Sequence, residues 1–113
     1  MDKEYILGLV TTLKLTEKEI HSREAEAAKW KNRAELARSR GLDDLVNEAE
    51  KEVESVSIKL ASLREEEHLL TAQIAAIRRQ LPGLAARERS IDADVLEQEL
   101  LMLLEDWEKI SSS

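Results

Sequence analysis

The sequence contains no cysteine and no phenylalanine, and its 113 residues include only one proline and three glycines. Without cysteine the chain has no disulfides, no thiolate metal ligands and no thiol nucleophile. Aromatic residues make up 3% of the chain, which is less aromatic bulk than a compact core commonly uses. Because proline and glycine are scarce, little in the sequence interrupts a helix. Together these absences predict an all-α protein built from long helices.

An excess of positive charge is absent as well. The 24 acidic and 17 basic residues give a formal net charge of −7, so we expect no nucleic-acid partner. No apolar run approaches the ~18 residues that a membrane-spanning helix needs. The apolar residues 5–10 follow Asp2 and Glu4 and precede no small-residue cleavage pattern, so they are a poor match to a signal peptide.

The residue constellations of catalysis are also missing. The sequence has no glycine-rich phosphate loop and no recognisable pairing of nucleophile and base. Three successive glutamates at 65–67 lie beside Arg64, but general acid–base chemistry needs a concave pocket, and a solvated helix face is the simpler interpretation. The only histidines, His21 and His68, lack the further ligands of a metal site. We therefore expect no catalytic residue, no cofactor and no metal site, and we expect that the chain is not an enzyme.

Two series of apolar residues recur every seven positions through residues 42–81, and only Glu67 interrupts them. This period is typical of a long helix with one narrow seam for a partner helix. Heptad position d is occupied by Leu42, Ala49, Val56, Leu63, Leu70 and Ile77. Position a is occupied by Val46, Val53, Leu60, Glu67, Ile74 and Leu81.

Residues 2–40 carry a second seam of the same kind. A capping box at Thr16 and Glu19 would allow a later helix start, but the seam continues through Thr16 without a phase change, which favours a start near Asp2. Position a is occupied by Ile6, Leu13, Ile20, Ala27 and Ala34. Position d is occupied by Leu9, Thr16, Arg23, Trp30 and Ala37.

A helix end and a helix start meet at Gly41, where the seam phase also changes. Gly41 permits the left-handed conformation that ends a helix, and Asp43 and Asp44 suit the positive N-terminus of the next one. These signals predict a tight turn between two antiparallel arms, residues 2–40 and 42–81. Folding the arms about Gly41 places Ala34 opposite Ala49.

The same register places Thr16 opposite Glu67, the one acidic residue of the seam. We expect this polar layer to lower stability while selecting one register. The agreement of two independently identified seams predicts a long antiparallel coiled-coil helical hairpin.

After the second arm, Leu81-Pro82-Gly83 ends the helix and precedes a helical segment at 84–110, in which Ser90 or Asp92 caps a last helix. This segment is acidic and has an apolar face too broad for one seam. We expect it to pack at the open end of the hairpin within a single helical domain, 1–113, and to bury its remaining surface in a homo-oligomer, a dimer or higher. The residues predicted to mediate self-association are Leu96, Leu100, Leu103, Trp107 and Ile110, together with Trp30 in the first arm.

Two features near the turn each allow two interpretations. Trp30 is either a packing residue of the seam or a half-exposed anchor of the kind that interfaces use. Basic residues of the first arm (Lys29, Lys31, Arg33, Arg38 and Arg40) would suit an anionic lipid surface or an acidic partner. The simpler interpretation is that the acidic residues at 43–54 across the turn neutralise them.

A sequence motif spans the first arm and the turn. It comprises Leu15-Thr16, then Ala28-x-Trp30-x-x-Arg33-Ala34-Glu35-Leu36-Ala37, then Gly41-x-Asp43-Asp44-Leu45, followed by the long seam. Over about Leu15 to Leu81 this resembles the hairpin of the phage-shock-protein A / IM30 family. The resemblance implies a cytoplasmic scaffold, peripheral at the inner or thylakoid membrane, that forms large oligomers, maintains membrane integrity under stress and, in some members, restrains a AAA+ transcriptional activator.

Two functions from different classes therefore remain open. One is a scaffold resembling phage-shock protein A that self-associates and contacts membrane. The other is a soluble coiled-coil adaptor that dimerises and binds a protein partner without lipid contact.

Overall fold

The structure, a computed structural model, describes residues 3–80, 98–99 and 101–102. Helix α1 spans Lys3–Ser39 and helix α2 spans Asp43–Gln80, and the two helices pack against each other. Within the described ranges there is no strand. The predicted all-α class and helical hairpin are confirmed. Helix α1 begins near the N-terminus and passes through Thr16, which confirms the early start.

The turn between the helices is built around Gly41. Its backbone is left-handed, with a φ of 69°, a conformation that costs glycine little because it has no Cβ. The Gly41 N–H donates to the Arg38 carbonyl (3.1 Å) and the Leu42 N–H donates to the Ala37 carbonyl (2.9 Å). These two bonds form a Schellman motif, which satisfies carbonyls at the end of α1. Asp43 and Asp44 lie in the first turn of α2, as predicted.

The chain divides into two compact units, which we describe separately. The tip unit comprises Thr16–Glu66, and the terminal unit comprises Met1–Leu15 with Glu67–Ser113. In the tip unit every predicted seam position between Thr16 and Leu63 except Leu42 is buried or half-buried, whereas nearly all other positions are exposed. The heptad pattern therefore identified the core of this unit.

Packing in the tip unit follows the predicted register. One buried cluster contains Ile20 and Ala27 from α1 with Val56 and Leu60 from α2, and Leu63 packs against it. Two ion pairs cross between the helices, Arg38–Glu50 at 2.8 Å and Arg64–Glu24 at 3.8 Å. The two pairs are separated by the same number of residues on each helix, as antiparallel helices in constant register require.

Core positions in the terminal unit extend beyond the predicted seam. Seam residues Ile6, Leu13 and Ile74 are fully buried, but so is Val10, and Arg78 is only 8% exposed. Neither Val10 nor Arg78 occupies an a or d position, so a two-helix seam alone would leave them in contact with water.

A third helical element contacts Arg78 in this unit. Residues 98–99 and 101–102 are helical, and the Arg78 guanidinium donates to the Glu99 carboxylate at 3.1 Å. Both side chains of this pair are largely buried, since the side chain of Arg78 taken alone is 10% exposed and that of Glu99 is 15% exposed. The predicted packing of a C-terminal helix at this end of the hairpin is confirmed for these residues. The remainder of the predicted helix at 91–110 lies outside the described residues.

The assignment of Leu42 to the seam is wrong. Leu42 is 45% exposed, because it follows Gly41 in the turn and precedes the first turn of α2.

The predicted polar layer joins Thr16 and Glu67. Thr16 is buried (5% exposed) and Glu67 is half-buried. They belong to different units, so their polar layer remains a prediction.

Cysteine crosslinking tests the register of the tip unit. Cysteine pairs at Ala34/Ala49 and at Ala27/Val56 are expected to form intrachain disulfides, because facing seam positions of closely packed helices bring their Cβ atoms within bonding range. All four positions are buried. A matched pair at Ser22/Ser62, which are exposed and occupy outward heptad positions, serves as the control. Gel mobility under non-reducing conditions is the measurement, and purely intermolecular products would contradict the hairpin register.

Candidate interaction surface

A groove lies on one face of the tip unit, beside the turn. On the α1 side a stripe of Trp30, Arg33, Ala37 and Arg40 recurs every three or four residues, which is the spacing of one helix face. The groove has a volume of about 270 Å³. Its remaining lining residues are Leu36, Leu42, Leu45, Glu48 and Ala49. We call this set of nine residues the tip groove.

The seam beside the tip groove is built from alanine, and Ala34, Ala37 and Ala49 are buried there. Leu36 and Leu45 lie outside the seam and Leu42 lies in the turn, and these three leucines are 57%, 50% and 45% exposed. Single exposed leucines are ordinary, but a cluster of them around a groove is typical of an interaction site.

Trp30 takes part in both the core and the tip groove. It packs against the buried cluster of Ile20, Ala27, Val56 and Leu60 and also lines the groove. The Arg33 guanidinium lies 4.7 Å from the centroid of its ring, within the range of a cation–π interaction. Trp30 is therefore a packing residue of the seam that is only partly buried, and its role as an interface anchor stays a prediction.

The charges beside the tip groove are neutralised only in part. Arg38 donates to Glu50 (2.8 Å) and also pairs with Glu35, as mutual neutralisation predicts. Arg33, Arg40 and Glu48 are exposed, and none of them forms an ion pair with any residue that the structure describes. The groove thus has unneutralised charges of both signs along its rim.

The structure describes only some of the predicted site residues. Trp30 and Gly41 belong to the tip unit, and Asp43 and Asp44 are exposed beside the turn. The five C-terminal residues predicted for self-association lie outside the described residues: Leu96, Leu100, Leu103, Trp107 and Ile110.

Our interpretation of the sequence missed the exposed leucines of the tip groove. Leu36 and Leu45 occupy heptad positions that point away from the seam, c and g. Large apolar residues at such positions were the available signal for a second, exposed apolar surface.

Elsewhere the described part of the chain offers little that resembles a chemical site. Across residues 3–80, 98–99 and 101–102, no three His, Cys, Asp or Glu side chains are grouped to hold a metal ion. His21 and His68 are both exposed, as are Glu65 and Glu66. Neither α1 nor α2 contains a stretch apolar enough to cross a bilayer.

Comparisons with protein-family models, with curated proteins and with solved structures find no match to this chain.

Proposed function

We propose that this chain is a non-enzymatic helical scaffold that acts by self-association. The observation that carries the proposal is the tip groove, which is lined by three exposed leucines and a tryptophan. Tryptophan and arginine are enriched among the residues that dominate binding energy at protein interfaces, and such anchors are ringed by near-neutral contacts that exclude water. The rim residues Arg33, Arg40 and Glu48 suit that arrangement.

A second surface of the same kind is expected in the C-terminal segment. Residues 103–110 contain Leu103, Trp107 and Ile110 at helical spacing, with three carboxylates and one lysine among them. A chain with two association surfaces can build assemblies larger than a dimer, because each surface joins a different neighbour. This supports the scaffold over a protein that binds one partner.

The resemblance to the phage-shock-protein A family extends the proposal to membrane-stress maintenance at a membrane surface. The specific observation that favours the alternative, an adaptor without lipid contact, is the acidity of the C-terminal segment. Acidic side chains are repelled by anionic lipid headgroups. The proposal therefore places protein contacts first and lipid contact second.

Two measurements on the full chain separate these functions. Sedimentation velocity at tens of micromolar is expected to show an oligomer, and flotation with anionic and with neutral liposomes reports lipid binding. An oligomer that floats with anionic liposomes supports the membrane scaffold. An oligomer that stays in solution supports the adaptor, and a monomer at these concentrations contradicts both.

The C-terminal surface has its own test. The variant Leu103→Glu, Trp107→Glu is expected to sediment as a smaller species than the wild type, because charge replaces two apolar side chains that the proposal assigns to an interface. A control with Gln73→Glu and Gln80→Glu adds the same charge at exposed positions of α2 and is expected to sediment like the wild type. Association unchanged in the Leu103, Trp107 variant would remove this segment from the interface.

A further inference from the structure

The charges of the tip groove are divided between its two sides. Arg33 and Arg40 come from α1 and its end, whereas Glu48 comes from α2. The apolar residues Leu36, Leu42 and Leu45 belong to the same groove. The groove therefore combines exposed apolar residues with arginines on the α1 side and a carboxylate on the α2 side, and protein interfaces combine apolar and polar groups in this way.

The opposite charges on the two sides of the tip groove limit the kinds of partner that can bind there. A uniformly acidic partner would meet repulsion from Glu48, and a basic partner would meet repulsion from Arg33 and Arg40. Anionic lipid headgroups would face the same acidic edge. A second copy of the tip groove, in contrast, offers the complementary charge on each side when it is suitably oriented.

The direction of the twofold axis of such a dimer determines which charged residues of the two copies face each other. In an isologous dimer the same patch occurs on both subunits, so each contact is made twice. A twofold axis parallel to the helices of the tip unit places α1 of one copy against α2 of the other, so that the arginine edge faces Glu48. A twofold axis across the helices places α1 against α1 and brings arginines together. The charges therefore favour the parallel arrangement.

We infer that the tip groove binds the tip groove of a second copy of this chain, in parallel, with Arg33 and Arg40 facing the partner's Glu48. Leu36, Leu42 and Leu45 of both copies supply the apolar part of this contact. This inference rests on the proposed self-association and names one of its interfaces. A twofold contact is closed, so it joins two copies only, and a larger assembly requires a separate surface.

Reciprocal charge reversal tests the inference. An acidic-tip variant, Arg33→Glu with Arg40→Glu, places like charges across the interface, and so does a basic-tip variant, Glu48→Arg. Each alone is expected to weaken the tip contact roughly a hundredfold, since juxtaposed like charges are strongly penalised, and to sediment as a smaller species than the wild type. An equimolar mixture of the two variants restores opposite charges at both contacts and is expected to recover the wild-type species.

Matched controls change the same net charge outside the groove. Lys51→Glu with Lys59→Glu and, separately, Glu65→Arg alter exposed positions of α2 and are expected to leave association unchanged. Circular dichroism should show equal helix content in all variants, because every substituted side chain is exposed.

The outcomes separate the inference from the proposed function. A monomeric wild type contradicts both. An oligomeric wild type whose tip variants associate equally well overturns the inference and leaves self-association intact, and a mixture that fails to recover association overturns the parallel pairing. Loss of liposome flotation in the acidic-tip variant without a change in association would assign the groove to lipid instead.

Discussion

Leu13→Ala is expected to destabilise the protein by about 2–5 kcal/mol. Leu13 is fully buried in the terminal unit, together with Ile6, Val10 and Ile74. Removing its three outer carbons loses their transfer free energy and leaves a cavity that the surrounding side chains fill only in part. Urea unfolding followed by circular dichroism measures the loss as a lower midpoint at an unchanged slope.

Leu15→Ala is the matched control, since Leu15 lies two residues further along α1 and is 62% exposed. The same change of side chain there is expected to alter the free energy of unfolding by no more than about 0.5 kcal/mol. Equal effects at both positions would contradict the helix orientation in the terminal unit. A large effect at Leu15 alone would mean that another surface covers it, as self-association could.

Arg78→Met is expected to cost about 3–5 kcal/mol, because it leaves the Glu99 carboxylate largely buried without its guanidinium partner. The two side chains are only 10% and 15% exposed, and their 3.1 Å contact joins α2 to the C-terminal helical residues. The double variant Arg78→Met, Glu99→Met is expected to recover most of the loss, since replacing both members of a buried ion pair by apolar groups is often close to neutral.

The Arg38–Glu50 pair provides the control for this cycle. Both of its side chains are about half exposed, so Arg38→Met is expected to cost less than about 1 kcal/mol. Thermal or urea unfolding of both single methionine variants and the double variant of each pair measures the coupling within that pair. Similar small losses at Arg78 and Arg38 would show that water reaches the Arg78–Glu99 contact.

The hairpin could be predicted from the sequence because each of its determinants is local. The apolar residues recur every seven positions, and a helix places such residues on one side whatever the rest of the chain does. Gly41 has no Cβ, so it adopts the left-handed conformation that the turn requires. The register then follows from the position of the turn, and the ion pairs Arg38–Glu50 and Arg64–Glu24 agree with it.

The tip groove was only half predictable. Trp30 was singled out from its residue type and seam position as either a packing residue or an anchor, but Leu36, Leu42 and Leu45 were not recognised as exposed. The exposure of Leu36 and Leu45 follows from their c and g heptad positions, whereas their meeting with Trp30 in one groove depends on how the two helices pack. Heptad assignment gives the direction of a side chain but not the width of the surface that its neighbours cover.

By itself, the sequence determined the two helices, their turn at Gly41, the seam that buries residues such as Ala27 and Val56, and the absence of thiol chemistry. Only the tertiary structure decided that Val10 and Arg78 are buried and that Glu99 is the partner of Arg78. The physical reason is that helix formation and seam direction depend on neighbours within a few turns. The burial of a residue outside the seam depends on a segment that lies far along the chain and meets it only on folding.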